Sequence, residues 1–415
     1  MKRAITIPLM MVLFLKILAC CDPLPPTPEP PTGVQIDLDW PQTRRTPQQI
    51  ASLDSDVAFP LELAWSVRVD CKASATPILA FETLYVGCGD GRLYGLDPVN
   101  GDTQFSIRLA GAIAGLAAAP ADDGFDGAIL ATTELNGRLY AVDPTNGSEL
   151  WHLEDGWGPV VSPPTVVESS VYYTFMPGEA EGCIRAVSVE DGSVIWQRAS
   201  EFYHISGPPM LYDGLDDVFA PTSFSIYSQF NRETGDHYWG HLGYNTNPWY
   251  TSGPYGMDSI DNGEDILIVI GHDVNIVASN GPGSSDPAPW VCELPNQDLI
   301  TGIALTENRS PNLLVISQPQ TLYTLDAQTG DILAQASTLP NDEWQNNHRT
   351  PQPVIWGDYV LHIADSTMLV AYELESLNEA WRYDIGLRTY ASPIISGNAV
   401  FIATAAGTVM ALYSD

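Results

Sequence analysis

The sequence predicts an all-β fold, an eight-bladed β-propeller of four-stranded antiparallel blades, and three repeated features support this prediction. A glycine turn is followed four residues later by an aromatic residue, two alternating apolar runs precede each turn, and a small residue precedes Pro or Gly at the start of each unit. The 34 Gly and 33 Pro among 415 residues favour many turns over long helices. A repeat of fixed period predicts one architecture built from copies of one unit.

The first feature is the pairing of a turn with a residue four positions later. The pairs are Gly101 with Phe105, Gly147 with Trp151, Gly192 with Trp196, Gly235 with Trp239, and Gly330 with Ala334. Trp65, Trp290 and Trp381 occupy the same place without the glycine. Successive positions from Trp65 onward are 40 to 51 residues apart, which is the length of one four-stranded unit.

The second feature is a pair of apolar runs before each turn. Residues 83–87 (TLYVG) and 91–97 (GRLYGLD) form the clearest pair, and 137–143 (GRLYAVD) nearly copies the second run. Alternation with a period of two, bounded by Gly, Asp and Asn, is typical of β-hairpins. Eight such hairpins can be counted along the chain.

The third feature is a small or hydroxyl residue that begins each unit. The instances are Thr76-Pro77, Ala114-Gly115, Ser162-Pro163, Ser206-Gly207, Ser252-Gly253, Thr301-Gly302, Thr350-Pro351 and Ser392-Pro393. Small residues suit the innermost strands, which crowd around a propeller axis. The last unit ends at Asp415 one strand short, and residues 61–65 (LELAW) have the missing outer-strand pattern. We therefore expect a propeller over residues 56–415 whose ring is closed by the N-terminal strand, which removes two exposed sheet edges.

The N-terminus has the pattern of an export signal. Residues 1–3 are positively charged at Lys2 and Arg3, and residues 4–15 form an apolar run too short to span a bilayer. Residues 17–20 (ILAC) resemble the bacterial lipobox, which implies a signal peptide over 1–19 and lipidation of Cys20. Cys21 is a rival position, and a simple secretory signal without lipid is the alternative interpretation.

Residues 20–55 are predicted to be a tether and an irregular segment. Residues 22–33 (DPLPPTPEPPTG) are Pro-rich and would form a semi-rigid spacer. The chain then lacks clear periodicity to about Ser55, so we expect this part to be loosely packed. Together these segments predict a lipid-anchored protein of the bacterial cell envelope, at the outer membrane on its periplasmic or surface face.

The charge balance is strongly acidic and limits the partners. Acidic residues number 51 and basic residues 17, for a net charge of −34. Such a surface repels nucleic acid and anionic lipid and favours basic protein patches or divalent cations. The alternative is that the acidity only maintains solubility.

Two segments carry a family resemblance. Residues 93–101 (LYGLDPVNG) and 139–151 (LYAVDPTNGSELW) resemble the quinoprotein-type, pyrroloquinoline-quinone-like propeller repeat. An eight-bladed lipoprotein with this repeat is similar to the accessory lipoprotein subunit of the outer-membrane β-barrel assembly machinery. The resemblance implies the fold more strongly than the function.

The same resemblance prompts a prediction about catalysis. Quinoprotein dehydrogenases hold their cofactor against a disulfide between adjacent cysteines, and the adjacent pair here, Cys20 and Cys21, lies outside the predicted propeller. No Gly-rich phosphate loop or nucleophile elbow occurs. The sequence therefore predicts that the chain is not an enzyme and holds no quinone cofactor.

Three groups of residues are candidate sites. Cys71 and Cys88 would lie at one rim of the first blade, where an exported protein can form a disulfide, whereas Cys183 and Cys292 lie in separate blades. Acidic turns contain candidate Ca²⁺ ligands, for which the sequence signal is weak because Asp and Gly are also ordinary tight-turn residues. These candidates are Asp122, Asp126, Asp213, Asp217, Asp261 and Asp265.

The third group consists of aromatic and basic residues in connections that lead to inner strands. They are Tyr203, His204, Trp249, Tyr250, Tyr255, Trp344, His348 and Arg349. Aromatic and Arg side chains in loops suit contacts with protein or glycan, and the alternative is that they close the mouth of the channel.

These observations support two hypotheses. The first is a non-catalytic, monomeric envelope lipoprotein that binds other envelope proteins through its propeller loops, as in outer-membrane protein assembly. The alternative is a Ca²⁺-dependent glycan-binding or adhesion module at the cell surface.

Overall fold

The computed structural model describes most of the chain from residue 35 onward. The described residues are 35–36, 39–47, 50–122, 124–134, 137–154, 160, 162–176, 182–199, 207–211, 216–221, 227–238, 257–261, 266–272, 275–280, 290–296, 298, 300–306, 309, 312–338 and 351–414. For residues 221, 227, 238 and 257–280 only the backbone is described. Within these ranges all regular secondary structure is β-strand, and no helix there is long and apolar enough to cross a membrane. The all-β prediction is confirmed.

Two strands and four sheets make up the first part of the chain. The two strands are β1 (Ser52–Leu53) and β2 (Glu62–Arg68). Sheet 1 contains β3 (Ile78–Ala80), β4 (Thr83–Gly87), β5 (Arg92–Leu96) and β6 (Thr103–Arg108). Sheet 2 contains β7 (Ile113–Ala119), β8 (Ala128–Thr133), β9 (Arg138–Val142) and β10 (Glu149–Glu154). Sheet 3 contains β11 (Thr165–Val167), β12 (Ser170–Phe175), β13 (Cys183–Ser188) and β14 (Val194–Ala199). Sheet 4 contains β15 (Met210–Leu211), β16 (Asp217–Pro221), β17 (Tyr227–Asn231) and β18 (His237–Tyr238).

The remaining strands form four further sheets. Sheet 5 contains β19 (Met257–Asp261), β20 (Ile266–His272), β21 (Asn275–Asn280) and β22 (Val291–Glu293). Sheet 6 contains β23 (Gly302–Leu305), β24 (Leu313–Gln318), β25 (Thr321–Asp326) and β26 (Ile332–Ser337). Sheet 7 contains β27 (Val354–Trp356), β28 (Tyr359–Ala364), β29 (Met368–Glu373) and β30 (Glu379–Asp384). Sheet 8 contains β31 (Ile394–Ser396), β32 (Ala399–Ala403) and β33 (Thr408–Tyr413).

Each sheet is an antiparallel meander of four strands, as predicted, with two variations. Strand β1 adds to sheet 7 in parallel with β27. Strand β2 is the fourth strand of sheet 8, paired antiparallel with β33 from Glu62 opposite Tyr413 to Arg68 opposite Thr408. A strand from near the N-terminus therefore completes the sheet formed by the C-terminus.

The sheets pack against each other in chain order and share their cores. Among the first strands, β7 contacts β3 and β11, β23 contacts β19 and β27, and β3 also contacts β31. One apolar cluster joins Tyr85 and Leu93 of sheet 1 to Leu116 and Ile129 of sheet 2. Where side chains are described, the first three strands of a sheet are largely buried on both faces, whereas the fourth is mostly exposed or half-buried, as β4 and β6 show. The first strand is thus the inner strand of each sheet and the fourth the outer strand.

The glycine–aromatic repeat forms a contact between consecutive sheets. In five turns before an outer strand the glycine has a positive φ, and an aromatic ring from the preceding sheet covers it. A Cβ on the glycine would lie within 2.7 Å of that ring for Gly101 against Trp65, Gly147 against Phe105, Gly192 against Trp151, Gly235 against Trp196 and Gly330 against Trp290. Only glycine permits this close approach.

A hydrogen bond accompanies each indole. The Nε1–H groups donate to the second residue of the next turn, from Trp65 to Pro98 O (2.9 Å), Trp151 to Val189 O (2.9 Å), Trp196 to Arg232 O (2.8 Å) and Trp290 to Ala327 O (3.1 Å). Phe105 has no donor, and the hydroxyl of Tyr85 from the same sheet donates to the equivalent Pro144 O at 2.7 Å. The buried carbonyl is satisfied in both cases.

Sheets 6, 7 and 8 vary this contact in a consistent way. Ala334 replaces the aromatic residue in sheet 6, and Leu377 (φ 53°) replaces the glycine in the facing turn of sheet 7, so both partners change together. Leu377 is buried in the cluster against which Ala334 packs, and Thr324 Oγ1 donates to Leu374 O at 2.8 Å in place of an indole. Trp381 of sheet 7 stacks on Phe59, just before β2, with ring centroids 5.4 Å apart.

The backbone at the beginning of the inner strands is bonded to hydroxyl groups of neighbouring sheets. Thr132 Oγ1 on β8 of sheet 2 donates to Ser162 O (3.2 Å), and Thr174 Oγ1 on β12 of sheet 3 donates to Gly207 O (3.1 Å). The amide of Ser392 before sheet 8 donates to Thr76 Oγ1, before sheet 1, at 3.4 Å. Several of the predicted unit starts therefore take part in hydrogen bonds between neighbouring sheets.

The described part of residues 20–55 is packed rather than loose. Trp40 is 1% exposed, and its backbone exchanges two hydrogen bonds with Leu79 of β3. Polar residues without alternation form no amphipathic element, so the periodicity of the sequence gave no sign of this packing.

We predict that substituting one turn glycine disrupts the contact between sheets 2 and 3. Gly192→Ala places a Cβ 2.7 Å from Trp151 Cε3 at a φ of +73°, and we expect a loss of about 2–4 kcal/mol in the free energy of unfolding. Gly124→Ala is the matched control, since Gly124 also has a positive φ (+91°) but no atom within 4 Å of its Cβ position. Urea denaturation of both variants checks this, and equal losses would contradict the packing role of Gly192.

Candidate partner-binding surface

Most of the candidate site residues lie outside the described residues. They are Cys20, Tyr203, His204, Trp249, Tyr250, Tyr255, Trp344, His348, Arg349, Asp213 and Asp265. Asp261 ends β19, and its side chain is not described either. The described candidates are Cys71, Cys88, Asp122, Asp126 and Asp217.

The structure joins Cys71 and Cys88 in a disulfide. Cys71 lies in the connection from β2 to β3, and Cys88 follows β4, with their Cα atoms 5.9 Å apart. The backbone holds the two segments together, since the Gly89 amide donates to Lys72 O at 2.9 Å and Ala73 bridges Cys88. The disulfide therefore fastens the connection from the N-terminal strand onto sheet 1 at the amino-terminal end of the inner strand.

The described acidic turns have structural contacts. Asp122 and Phe125 exchange backbone hydrogen bonds of 2.9 Å around Gly124, which is a tight hairpin turn. Asp217 accepts a hydrogen bond of 2.8 Å from Gln229 Nε2 on the neighbouring strand. Within the described ranges the one group of three potential metal ligands is Cys71, Cys88 and Asp90, and its two sulfur atoms are bonded to each other. The geometry of the described residues thus gives the Ca²⁺ hypothesis no specific support.

In sheets 1, 2 and 6 an aspartate at the end of the third strand, or directly after it, caps the following turn. Asp143 Oδ1 accepts from the Thr145 amide (2.8 Å) and the Thr145 hydroxyl (2.6 Å), and these bonds lower the pKa of Asp143. Asp97 and Asp326 make the equivalent bonds to Val99 and Gln328. Part of the high acidic content is therefore required by the turns of the repeat.

A buried cation lies in sheet 3. Arg185 donates to the Tyr173 hydroxyl (2.8 Å) and to Gln197 Oε1, and its guanidinium lies 4.6 Å from the Phe175 ring centroid. Burial lowers the pKa of Arg185 to about 10, so it remains charged at neutral pH. The group stabilises the sheet from within and faces away from solvent.

The outer strands carry the apolar side chains that remain exposed. Leu150, Val194, Ile195, Ile332 and Leu333 follow the glycine turns and are 38% to 51% exposed. Carboxylates flank them, such as Glu149 beside Leu150, so the rim offers scattered apolar contacts within an acidic surface. Rims of this composition suit contact with protein more than with lipid.

One buried histidine is unpaired among the described groups. His362 in β28 is 2% exposed, and its Nδ1 has no hydrogen-bond partner in the described structure. Burial lowers the pKa of His362 from near 6.5 to about 4, so the folded state holds it neutral.

Sequence reasoning missed Gln42 and Arg44, which are 4% exposed and bind the inner strands of sheets 3 and 6. The single sign was an aromatic residue and paired arginines (residues 40–45, WPQTRR) in an otherwise acidic and Pro-rich segment.

Comparison with known proteins agrees with this architecture. A family model described as "Outer membrane protein assembly factor BamB" matches residues 60–155, 109–248 and 294–415. No curated protein sequence matches the chain. The predicted resemblance to the quinoprotein-type propeller family is confirmed.

Three solved structures illustrate the shared fold. The BamB structure from Moraxella catarrhalis is 14% identical with a TM-score of 0.63, covering 86% of this chain and 98% of that chain. Quinohemoprotein alcohol dehydrogenase from Comamonas testosteroni is 15% identical with a TM-score of 0.68, covering 90% of this chain and 80% of that one. A europium-containing methanol dehydrogenase is 13% identical with a TM-score of 0.70, covering 90% and 98%.

The prediction that the chain is not an enzyme is wrong, because it excluded a class of protein that shares this fold. Two of these three structures are dehydrogenases with the same fold, so the propeller of this chain is one on which oxidoreductases are also built. At 13–15% identity the likeness shows the fold alone. The lack of adjacent cysteines within the predicted propeller was too narrow a criterion for excluding an enzyme.

We predict that His362 makes stability depend on pH. The unfolded histidine binds a proton near pH 6.5, but the folded one does so near pH 4, so stability is full above pH 6.5 and falls as the pH drops towards 4. The expected loss is about 3 kcal/mol. His362→Leu should make the urea midpoint nearly independent of pH over this interval. A parallel pH profile in His362→Leu would contradict the assignment.

Proposed function

The chain belongs to the family described as outer membrane protein assembly factor BamB, and we propose that it is a protein-binding scaffold of the bacterial cell envelope that takes part in outer-membrane protein assembly. The family match over both halves of the propeller is the observation that carries the proposal. A rigid disc of sheets with exposed loops and rims suits a scaffold, because it presents many contact positions without rearrangement.

We further propose that the eight sheets are the blades of one closed ring. Strand β2 pairs with β33, and Trp65 on β2 packs on Gly101 of sheet 1, which supports a joint between sheets 8 and 1 equivalent to the others. In sheet 8 the outer strand β2 comes from the N-terminal part of the chain, so no turn connects it to β33. Phe59, just before β2, contacts Trp381 in place of a turn glycine. Closure of this type leaves no free face on the first or last blade.

The proposed location of the protein is the outer membrane. The lipobox-like residues 17–20 and the Pro-rich residues 22–33 support a lipid at Cys20 and a spacer between membrane and propeller. The family description is consistent with this location.

The proposed contact surface is the set of aromatic connections. Trp249, Tyr250 and Tyr255 lie between β18 and β19, and Trp344, His348 and Arg349 lie between β26 and β27. Aromatic and Arg side chains are the usual anchors of protein interfaces. The net charge of −34 favours a partner with a basic patch and faster association at low salt.

The experiment is a crosslinking pulldown of the full-length protein from native envelopes. We expect recovery of outer-membrane assembly components, with recovery reduced more than tenfold in Trp249→Ala/Tyr250→Ala, since anchor residues contribute at least about 2 kcal/mol each. Leu150→Ala/Ile195→Ala is the matched control, because both side chains are about half exposed on outer strands.

The same pulldown separates the alternative functions. Recovery that falls with added salt and ignores a calcium chelator supports the scaffold with a basic partner. Enrichment of polysaccharide that disappears with chelator would contradict it, as would recovery that is equal in the two double variants.

A further inference from the structure

The N-terminal strap, defined as residues 35–58, runs around one end of the inner strands. Along the strap, successive residues bind successive sheets. The contacts are Gln35 with Asn398 (sheet 8), Trp40 with Leu79 (sheet 1), Pro41 with Ala118 (sheet 2), Gln42 with Val166 (sheet 3), Pro47 with Leu211 (sheet 4), Ala51 with Ile355 (sheet 7) and Ala58 with Ser414 (sheet 8). Apart from Arg44, whose side chain reaches Ile303 of sheet 6, the order of contacts follows the order of the sheets, so within the described residues the strap makes nearly a full turn.

The strap satisfies backbone groups on the free edges of the inner strands. The Ala118 amide donates to Pro41 O (2.7 Å), and the Leu211 amide donates to Pro47 O (3.0 Å). The amides of Ile355 and Gly357 donate to Ala51 O and Leu53 O at 2.8 Å each, as β1 extends sheet 7. An inner strand would otherwise present these groups to the channel.

Two side chains of the strap bind inner strands that the strap backbone does not contact. The Gln42 amide binds Val166 in both directions, accepting from its N–H at 3.0 Å and donating to its C=O at 3.4 Å. It thereby replaces a neighbouring strand with a side chain. Arg44 donates through Nη2 to Ile303 O in sheet 6, three sheets further round than Val166. Two residues that are close in sequence therefore connect well-separated parts of the inner wall.

Several of these contacts lie at the carboxyl-terminal end of the inner strands, whereas Leu79 and Val166 are middle residues of their strands and Ile303 is the second residue of β23. Ala118 is the penultimate residue of β7, Leu211 ends β15, Gly357 follows β27 and Asn398 follows β31. The Cys71–Cys88 disulfide lies at the opposite end, before β3. Because inner strands of a propeller run in the same direction, the two features mark opposite mouths of the central channel.

We propose that the strap is a built-in closure that seals one mouth of the channel and holds the inner strands together there. A ligand or partner segment that uses the channel then enters by the mouth that carries the disulfide. The inference rests on the ring proposed above but not on the identity of any partner. Its energetic basis is the burial of Trp40 and Leu53 together with the paired edge groups.

Hydrogen–deuterium exchange on the full chain tests the proposal. In Gln42→Ala/Arg44→Ala we expect the Leu79, Ala118, Leu211 and Ile355 amides to exchange at least about tenfold faster, because their acceptors belong to or depend on the strap. The seam between β2 and β33 should keep its protection. Arg108→Ala/Gln335→Ala, on the exposed outer strands β6 and β26, is the matched control and should change neither region.

Two results would overturn the proposal. Unchanged exchange at the inner strands would mean that Gln42 and Arg44 do not hold the mouth closed. Faster exchange everywhere, the β2–β33 seam included, would mean that the strap is inseparable from global folding and is no distinct closure. Loss of protection at the seam in the parent protein would instead count against the ring, so the two failures are distinguishable.

Discussion

The missing side chain of the turn glycine is the constraint on which the rest of the structure depends. Neighbouring sheets share a core only if they approach closely, and an indole can cover the turn of the next sheet only where no Cβ intervenes. The indole also donates to a turn carbonyl that would otherwise be buried without a partner, as Trp196 does to Arg232. Shape and polarity are satisfied by one contact, which explains why the pair recurs at a fixed spacing.

The exceptions support this explanation. Phe105 covers a glycine but cannot donate, and Tyr85 supplies the hydrogen bond instead. Ala334 neither covers a turn with a ring nor donates a hydrogen bond. Leu377 fills the space that a ring would occupy, and Thr324 donates the hydrogen bond. At these two joints the volume and the hydrogen bond are thus both retained although a different residue provides them.

The parts of the fold that could be predicted are those with local periodicity. Strands such as β4 and β5 alternate, the glycine turns have their own residue types, and residues 61–65 repeat the outer-strand pattern. The strap could not be predicted, because it forms no element of its own and Gln42 and Arg44 acquire their roles only from strands distant in sequence. The sequence also could not separate scaffold from oxidoreductase, since both are built on this fold. The aromatic candidate residues remain a prediction from sequence.

The measurement that tests the central claim most directly is a double-mutant cycle at the joint between sheets 6 and 7. Ala334→Trp alone should clash with Leu377, and Leu377→Gly alone should leave a cavity, each lowering the free energy of unfolding by about 2–4 kcal/mol. Together they recreate the Trp–Gly pair of the other joints, so the account predicts that the double variant recovers most of both losses, a coupling of about 3 kcal/mol. Losses that simply add would contradict the claim that the turn residue and the facing side chain form one interaction.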